Sequence, residues 1–196
     1  MSILNSIANK RPVQGVGIND ADYLVRQTIN GKTILCPFYR CWANMIVRCY
    51  SAKSLSDSPT YLGCKVCDEW INSFMAFRLW MQSQDWNGKQ LDKDLIGDGK
   101  LYSPENCVFV SRELNTLFLD HGAARGEYPL GVSWNKEKGK FNAQIKIDGK
   151  NTTLGRFTCA DEAHSAWLAA KIEIANTFLS NEQNPRVRYA IECGIA

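Results

Sequence analysis

Amide and cationic side chains alternate with apolar ones between residues 141 and 147. Phe141, Ala143, Ile145 and Ile147 fall on one side of an extended chain, and Asn142, Gln144 and Lys146 on the other. Amides read adenine edges, cations hold phosphates, and a small sheet fits a major groove. Trp134, Lys136, Lys138, Lys140 and Arg156 are expected to join this set. Its alternative is a hydrated basic face on a structural sheet. A second chemical group lies upstream, where Asp92-Lys93-Asp94 sits in an acidic stretch. Carboxylates beside a phosphate-binding surface repel phosphate unless a cation stands between them. A third group is Cys64-Lys-Val-Cys67, which has the spacing of half a zinc site. Cys36, Cys41 or Cys49 could complete it, and Cys36 with Cys49 is the expected choice for a structural Zn²⁺. The alternative is a set of buried reduced thiols, with Cys49 on the core side of its helix.

Charge follows the same division. Residues 1–65 carry a net +5, residues 66–125 a net −3, residues 126–157 a net +3 and residues 158–196 a net −2. Two basic segments thus flank an acidic one, although the whole chain of 196 residues totals only +3. Hydrophobic residues at 45% and charged residues at 22% exclude disorder, collagen and low-complexity repeats. No apolar run approaches the roughly 18 residues of a membrane span, and no apolar signal core opens the chain. The expected compartment is therefore a cytoplasm, where eight cysteines stay reduced or bind metal.

Several elements must position these groups. Residues 1–35 look like an extended arm with short strands at most, and Lys10 and Arg11 could track a nucleic-acid backbone. From Phe38 to Tyr50, Tyr39, Trp42, Met45, Ile46 and Cys49 recur at helical spacing. On that helix Arg40 and Arg48 could hold phosphates, or simply form a solvated face. Ser51–Gly63 reads as a loop. Asp68 can cap a helix running to about Ser83. Gln90–Asp94 suits a short strand, the Asp-Gly dipeptide at 98–99 a turn, Cys107–Val110 a second strand, and Ser111 a helix cap. Gly122–Glu127 reads as a linker. Leu130–Trp134, Phe141–Ile147 and Thr152–Phe157 read as three strands joined at Lys138-Gly-Lys and Asp148-Gly-Lys. A helix follows from Thr158 through Ile174, and the polar stretch from Ser180 reads as a tail. The fold class is α+β. The expected domains are 1–124, 125–179 with the three-stranded antiparallel sheet on one helix, and a tail over 180–196.

Two segments resemble known families. Gly131-Val-Ser-Trp134, Phe141-Asn-Ala-Gln-Ile145, Leu154-Gly-Arg-Phe157 and Asp161-Glu-Ala163 resemble the APETALA2-type DNA-binding domain of plant ethylene-response factors. The resemblance implies a three-stranded sheet lying on duplex DNA. The first strand carries fewer arginines than plant members do. The strand–loop–strand–helix of residues 90–118 resembles the ββα-metal motif of HNH endonucleases. By that resemblance Asp92 and Asn115 would hold one Mg²⁺ or Mn²⁺ ion, and Asn106 would brace the loop. The base position falls on Lys93, or on Asp94 with the loop shifted by one residue. The family's histidine is absent: of the two histidines, neither His121 nor His164 fits the slot. A lysine acts as a base only with a lowered pKa. Asp94 could instead ligate metal, and His121 could fold back.

The whole arrangement, with Cys36-Pro-Phe-Tyr39, Arg48-Cys-Tyr50 and Val66-Cys-Asp-Glu-Trp70, resembles phage HNH homing endonucleases with a C-terminal APETALA2-like domain. Some members share the lysine. The resemblance implies metal-dependent nicking or cleavage of double-stranded DNA in a bacterial cytoplasm, with neither a membrane nor a small-molecule substrate involved. The alternatives are a DNA-binding protein on a decayed nuclease scaffold, acting as a phage regulator or anti-defence factor, and a protein-interaction module with tryptophan-rich surfaces. A monomer suits an asymmetric target and a dimer a palindrome.

Overall fold

The computed structural model describes residues 11–118, 127–147 and 149–195. Residues 122–126 of the expected Gly122–Glu127 linker, His121, Lys10 and Asp148 lie outside the described residues. The chain is a mixed α+β protein. It divides into two compact units, Met1–Phe109 and Val110–Ala196.

The first unit opens with a hairpin of β1 (Arg26–Ile29) and β2 (Lys32–Leu35). Its core is aromatic. Helix α1 (Pro37–Tyr50) turns Trp42, Met45, Ile46 and Cys49 inward, as their spacing requires. Trp42, Trp70, Phe74 and Phe77 are fully buried. Each such ring contributes about 2–3 kcal/mol by leaving water, and the Trp42 indole N–H donates to the Trp70 carbonyl at 2.6 Å. The expected loop at Ser51–Gly63 contains α2 (Ala52–Asp57) and a 3₁₀ turn at Pro59–Tyr61. The Ser51 hydroxyl oxygen caps α2 by accepting from the Ser54 N–H.

The single helix expected from Asp68 is two, α3 (Asp68–Asn72) and α4 (Phe74–Gln82). Ser73 breaks the run because its backbone is extended, at φ −148° and ψ 112°. Its hydroxyl then caps α4 by accepting from the Ala76 N–H at 2.9 Å. Strand β3 (Lys65–Val66) pairs in parallel with β5 (Leu101–Tyr102). Strand β4 (Gln90–Asp92) pairs with β6 (Val108–Val110).

In the second unit α5 (Arg112–Phe118) begins one residue after Ser111, whose hydroxyl oxygen accepts from the Leu114 N–H. The antiparallel sheet is β7 (Val132–Asn135), β8 (Lys140–Ile147) and β9 (Lys150–Phe157), in that order. Helix α6 (Ala160–Asn181) packs on the sheet, with Ala143 of β8 and Ala163 of α6 fully buried. At Gly131 the φ is +76°, and a Cβ would meet the Trp167 ring at 2.0 Å. The stretch expected as a tail folds into α7 (Pro185–Ile195). Val187 and Ile191, one helical turn apart, are fully buried, so two apolar residues suffice to seat an otherwise polar helix. No helix among the described residues is long and apolar enough to cross a membrane.

Candidate functional site

Asp92 ends β4 and is 6% exposed. One carboxylate oxygen, Oδ1, accepts from the N–H groups of Asp94 at 2.9 Å and Leu95 at 2.7 Å. This Asp turn fixes the start of the following loop. Oδ2 carries no hydrogen bond among the described residues. Burial pushes the Asp92 carboxyl above its ordinary range, the neighbouring Asp94 charge adds to the rise, and the two backbone donors oppose it.

Lys93 is 3% exposed, and its Nζ donates to Asp94 Oδ1 at 2.7 Å. The ammonium also lies 5.5 Å from the ring centres of Tyr61 and of Tyr102. Burial pulls its pKa down, but the hydrogen bond and charge of Asp94 outweigh that, and the net shift is upward. A lowered pKa was the condition for Lys93 to act as a base, and the ion pair with Asp94 reverses it. Lys93 is a fixed cation.

Arg48 reaches the same surroundings from α1. Its guanidinium stands 5.9 Å over the Tyr61 ring and beside the Tyr102 hydroxyl. Burial pushes the Tyr102 hydroxyl well up. Tyr61 and Tyr102 therefore tie two cations from separate elements into one cluster. Nothing in their spacing announced this, since a tyrosine in an apolar context reads as core. Arg40, also on α1, is exposed.

Asn106 stands at the far end of the loop. A Cβ at Gly97 would meet the Lys93 carbonyl at 2.7 Å and the Asn106 Cβ at 2.9 Å. Glycine alone lets the loop close between these two residues. The structure thus brings Asp92, Lys93, Asp94, Asn106 and Arg48 to one region of the first unit. Asn115 lies on α5 of the second unit, half-buried, with its N–H donating to the Ser111 carbonyl.

The four cysteines expected around zinc are not gathered. Cys36 meets the Tyr23 hydroxyl at 3.6 Å, Cys49 neighbours Cys64, and Cys67 neighbours Cys107. Among the described residues no three His, Cys, Asp or Glu side chains come together as a metal cage. Burial pushes the Cys49 and Cys107 thiols up to about 12.

The second chemical surface is the sheet. Cross-strand partners share a face, so the register assigns every side chain. Ser133, Asn142 and Arg156 form one row across β7, β8 and β9. Gln144 pairs with Thr153, and its amide Nε2 donates to the Thr153 hydroxyl at 3.3 Å. Lys146 pairs with Asn151, and Lys140 with Asn135. A register shift between Ala143 and Gln144 keeps both halves of β9 on this face. Ser133, Asn135, Asn151 and Thr153 are members that strand patterning alone did not supply, because they need the register.

Trp134 does not join the face. It pairs with Phe141, ring centres 4.7 Å apart, on the opposite side. One residue of parity separates it from Ser133. Lys136 and Lys138 occupy the exposed turn before Lys140. Asn142 Oδ1 is buried without a partner among the described residues. A depression of about 230 Å³ is lined by Ser133, Gln144, Lys146 and Asn151, among others. A groove of about 300 Å³ then separates α5 from the β8–β9 hairpin, between Arg112, Glu113 and Thr116 on one side and Lys146 and Gly149 on the other.

Comparison with protein families, curated proteins and solved structures finds no match to this chain.

Proposed function

We propose that the protein is a metal-dependent DNA endonuclease whose β7–β9 sheet binds the duplex and whose Asp92 loop serves hydrolysis of a phosphodiester. The observation that carries the reading is the amide and cation face. Asn142, Gln144, Lys140, Lys146 and Arg156 stand together on the side of the sheet away from Phe141 and Ala143. Such a face can hold phosphates and read base edges at once.

The hydrolytic half rests on Asp92 and on the resemblance of β4, the loop, β6 and α5 to the ββα-metal motif. A Mg²⁺ or Mn²⁺ ion held by one carboxylate keeps most of its waters and takes its other ligands from substrate. Asp92 Oδ2 suits that use, and the resemblance adds Asn115. When bound, the ion would stabilise charge developing on the phosphate and leaving oxygen. Lys93, held charged, neutralises Asp94 and keeps it in place. The exposed oxygen of Asp94 is then the group available to orient a water. Asn106 and Gly97 hold the loop closed. The test is nicking of supercoiled plasmid by the full chain with Mg²⁺ or Mn²⁺, beside Asp92→Ala and Asn115→Ala. Nicking lost in both supports the assignment, and nicking that survives both overturns it.

A second reading is a DNA-binding protein that does not cut. The Lys93–Asp94 ion pair favours it, because the two groups nearest to a base occupy each other. Salt-sensitive duplex binding with no nicking under any divalent ion would establish this reading.

A further inference from the structure

We propose that the β1–β2 hairpin is a second DNA-binding element, a two-stranded ribbon that enters a groove of the duplex. The proposal rests on the DNA reading above and extends it to a segment of the first unit. The ribbon is short, tight and almost wholly exposed. Asn30 and Gly31 take left-handed backbones at φ 51° and 74°, which is the Asn-Gly hairpin turn. Every residue from Arg26 to Ile34 is exposed. Its foot is tied by the Cys36 N–H, which donates to the Val25 carbonyl at 2.8 Å. An isolated two-stranded hairpin is marginal in water, so its exposed side chains call for a partner.

The register divides them. Gln27, Ile29, Lys32 and Ile34 share one face, and Arg26, Thr28, Thr33 and Leu35 share the other. Ile29 and Ile34 are 49% and 53% exposed. Between residues 26 and 35 there are two cations and no carboxylate. That charge pattern selects a polyanion over an ordinary protein surface. Strands about 5 Å apart make a ribbon that fits the roughly 12 Å major groove. In it Gln27 supplies an amide for base edges, Ile29 and Ile34 contact thymine methyls, and Arg26 and Lys32 hold phosphates at the foot and tip.

The test is duplex binding by the full chain across a salt series, with a mixed-sequence oligonucleotide duplex. Arg26→Gln with Lys32→Gln should weaken binding about ten-fold and reduce the salt slope by about 1.8, the share of two phosphate contacts. Ile29→Ser with Ile34→Ser should weaken binding and leave the slope unchanged. Thermal melting should be nearly unaltered in both, since the residues are exposed. If both ribbon variants bind like wild type while Lys140→Gln with Arg156→Gln loses affinity, the ribbon proposal fails and the DNA reading stands. If wild type binds no duplex, the DNA reading falls and takes the ribbon with it. A wild-type dimer dissociated by Ile29→Ser with Ile34→Ser, at unchanged DNA affinity, would assign the face to a second copy and overturn the proposal.

Discussion

Asp92 shows how one buried carboxylate can be stabilised and strained together. Its backbone donors favour the charged form, yet burial raises its pKa, so the charged form is disfavoured on balance. A folded pKa above the unfolded value means that the folded state binds more protons in between. Stability from this group therefore falls as pH rises from about 4 through the raised value. Asp92→Asn keeps an oxygen for the Asp94 and Leu95 N–H groups and removes the charge. Urea denaturation should find it at least as stable as wild type at pH 7, with its relative advantage gone at pH 4. Asp92→Ala orphans both donors and should cost about 1–3 kcal/mol. Lys93 has the same sign in a higher window: its contribution is present below about pH 10 and is lost as pH rises through the raised folded value. Lys93→Met should leave stability within about 1 kcal/mol, because the Asp94 carboxylate it leaves behind is exposed and keeps its charge in water. Any loss of nicking in that variant, read beside its unfolding curve, would then report function rather than folding.

At the scale of elements, periodicity revealed most of the helices and strands, and register decided the faces. The spacing of Trp42, Met45, Ile46 and Cys49 was enough to place α1, because apolar side chains at helical intervals have one way to be buried. The break at Ser73 was not legible, since Trp70, Phe74 and Phe77 continue the apolar stripe across it. Helix α7 was missed because only Val187 and Ile191 mark it. Trp134 was misassigned for want of register: an aromatic next to a polar strand residue belongs to either face until its partner is known. Asp92 was legible as the end of a short strand and Asn106 as a turn residue just before another, whereas Tyr61 and Tyr102 were not, because their role depends on which cations the fold brings to them. Two glycines test these elements directly. Gly131→Ala forces a Cβ into Trp167 and should destabilise the second unit by about 2 kcal/mol or more in denaturant titration. Gly97→Ala should open the Asp92–Asn106 loop. Its expected outcome is lost nicking with duplex affinity unchanged, and full activity would show that loop closure is dispensable.

At the scale of the molecule, the near-neutral total charge conceals basic and acidic segments that alternate along the chain. The aromatic core of the first unit supports an acidic loop with two captive cations. The second unit turns a basic amide-bearing face away from α6. In the proposed division the sheet supplies duplex affinity and the Asp92 loop supplies scission, so the two properties separate by substitution. The most direct measurement is plasmid nicking in Mg²⁺ or Mn²⁺ alongside duplex affinity, for wild type and Asp92→Asn. Wild type should nick, Asp92→Asn should not, and both should bind duplex equally. Nicking by Asp92→Asn at the wild-type rate would contradict the proposed role of Asp92.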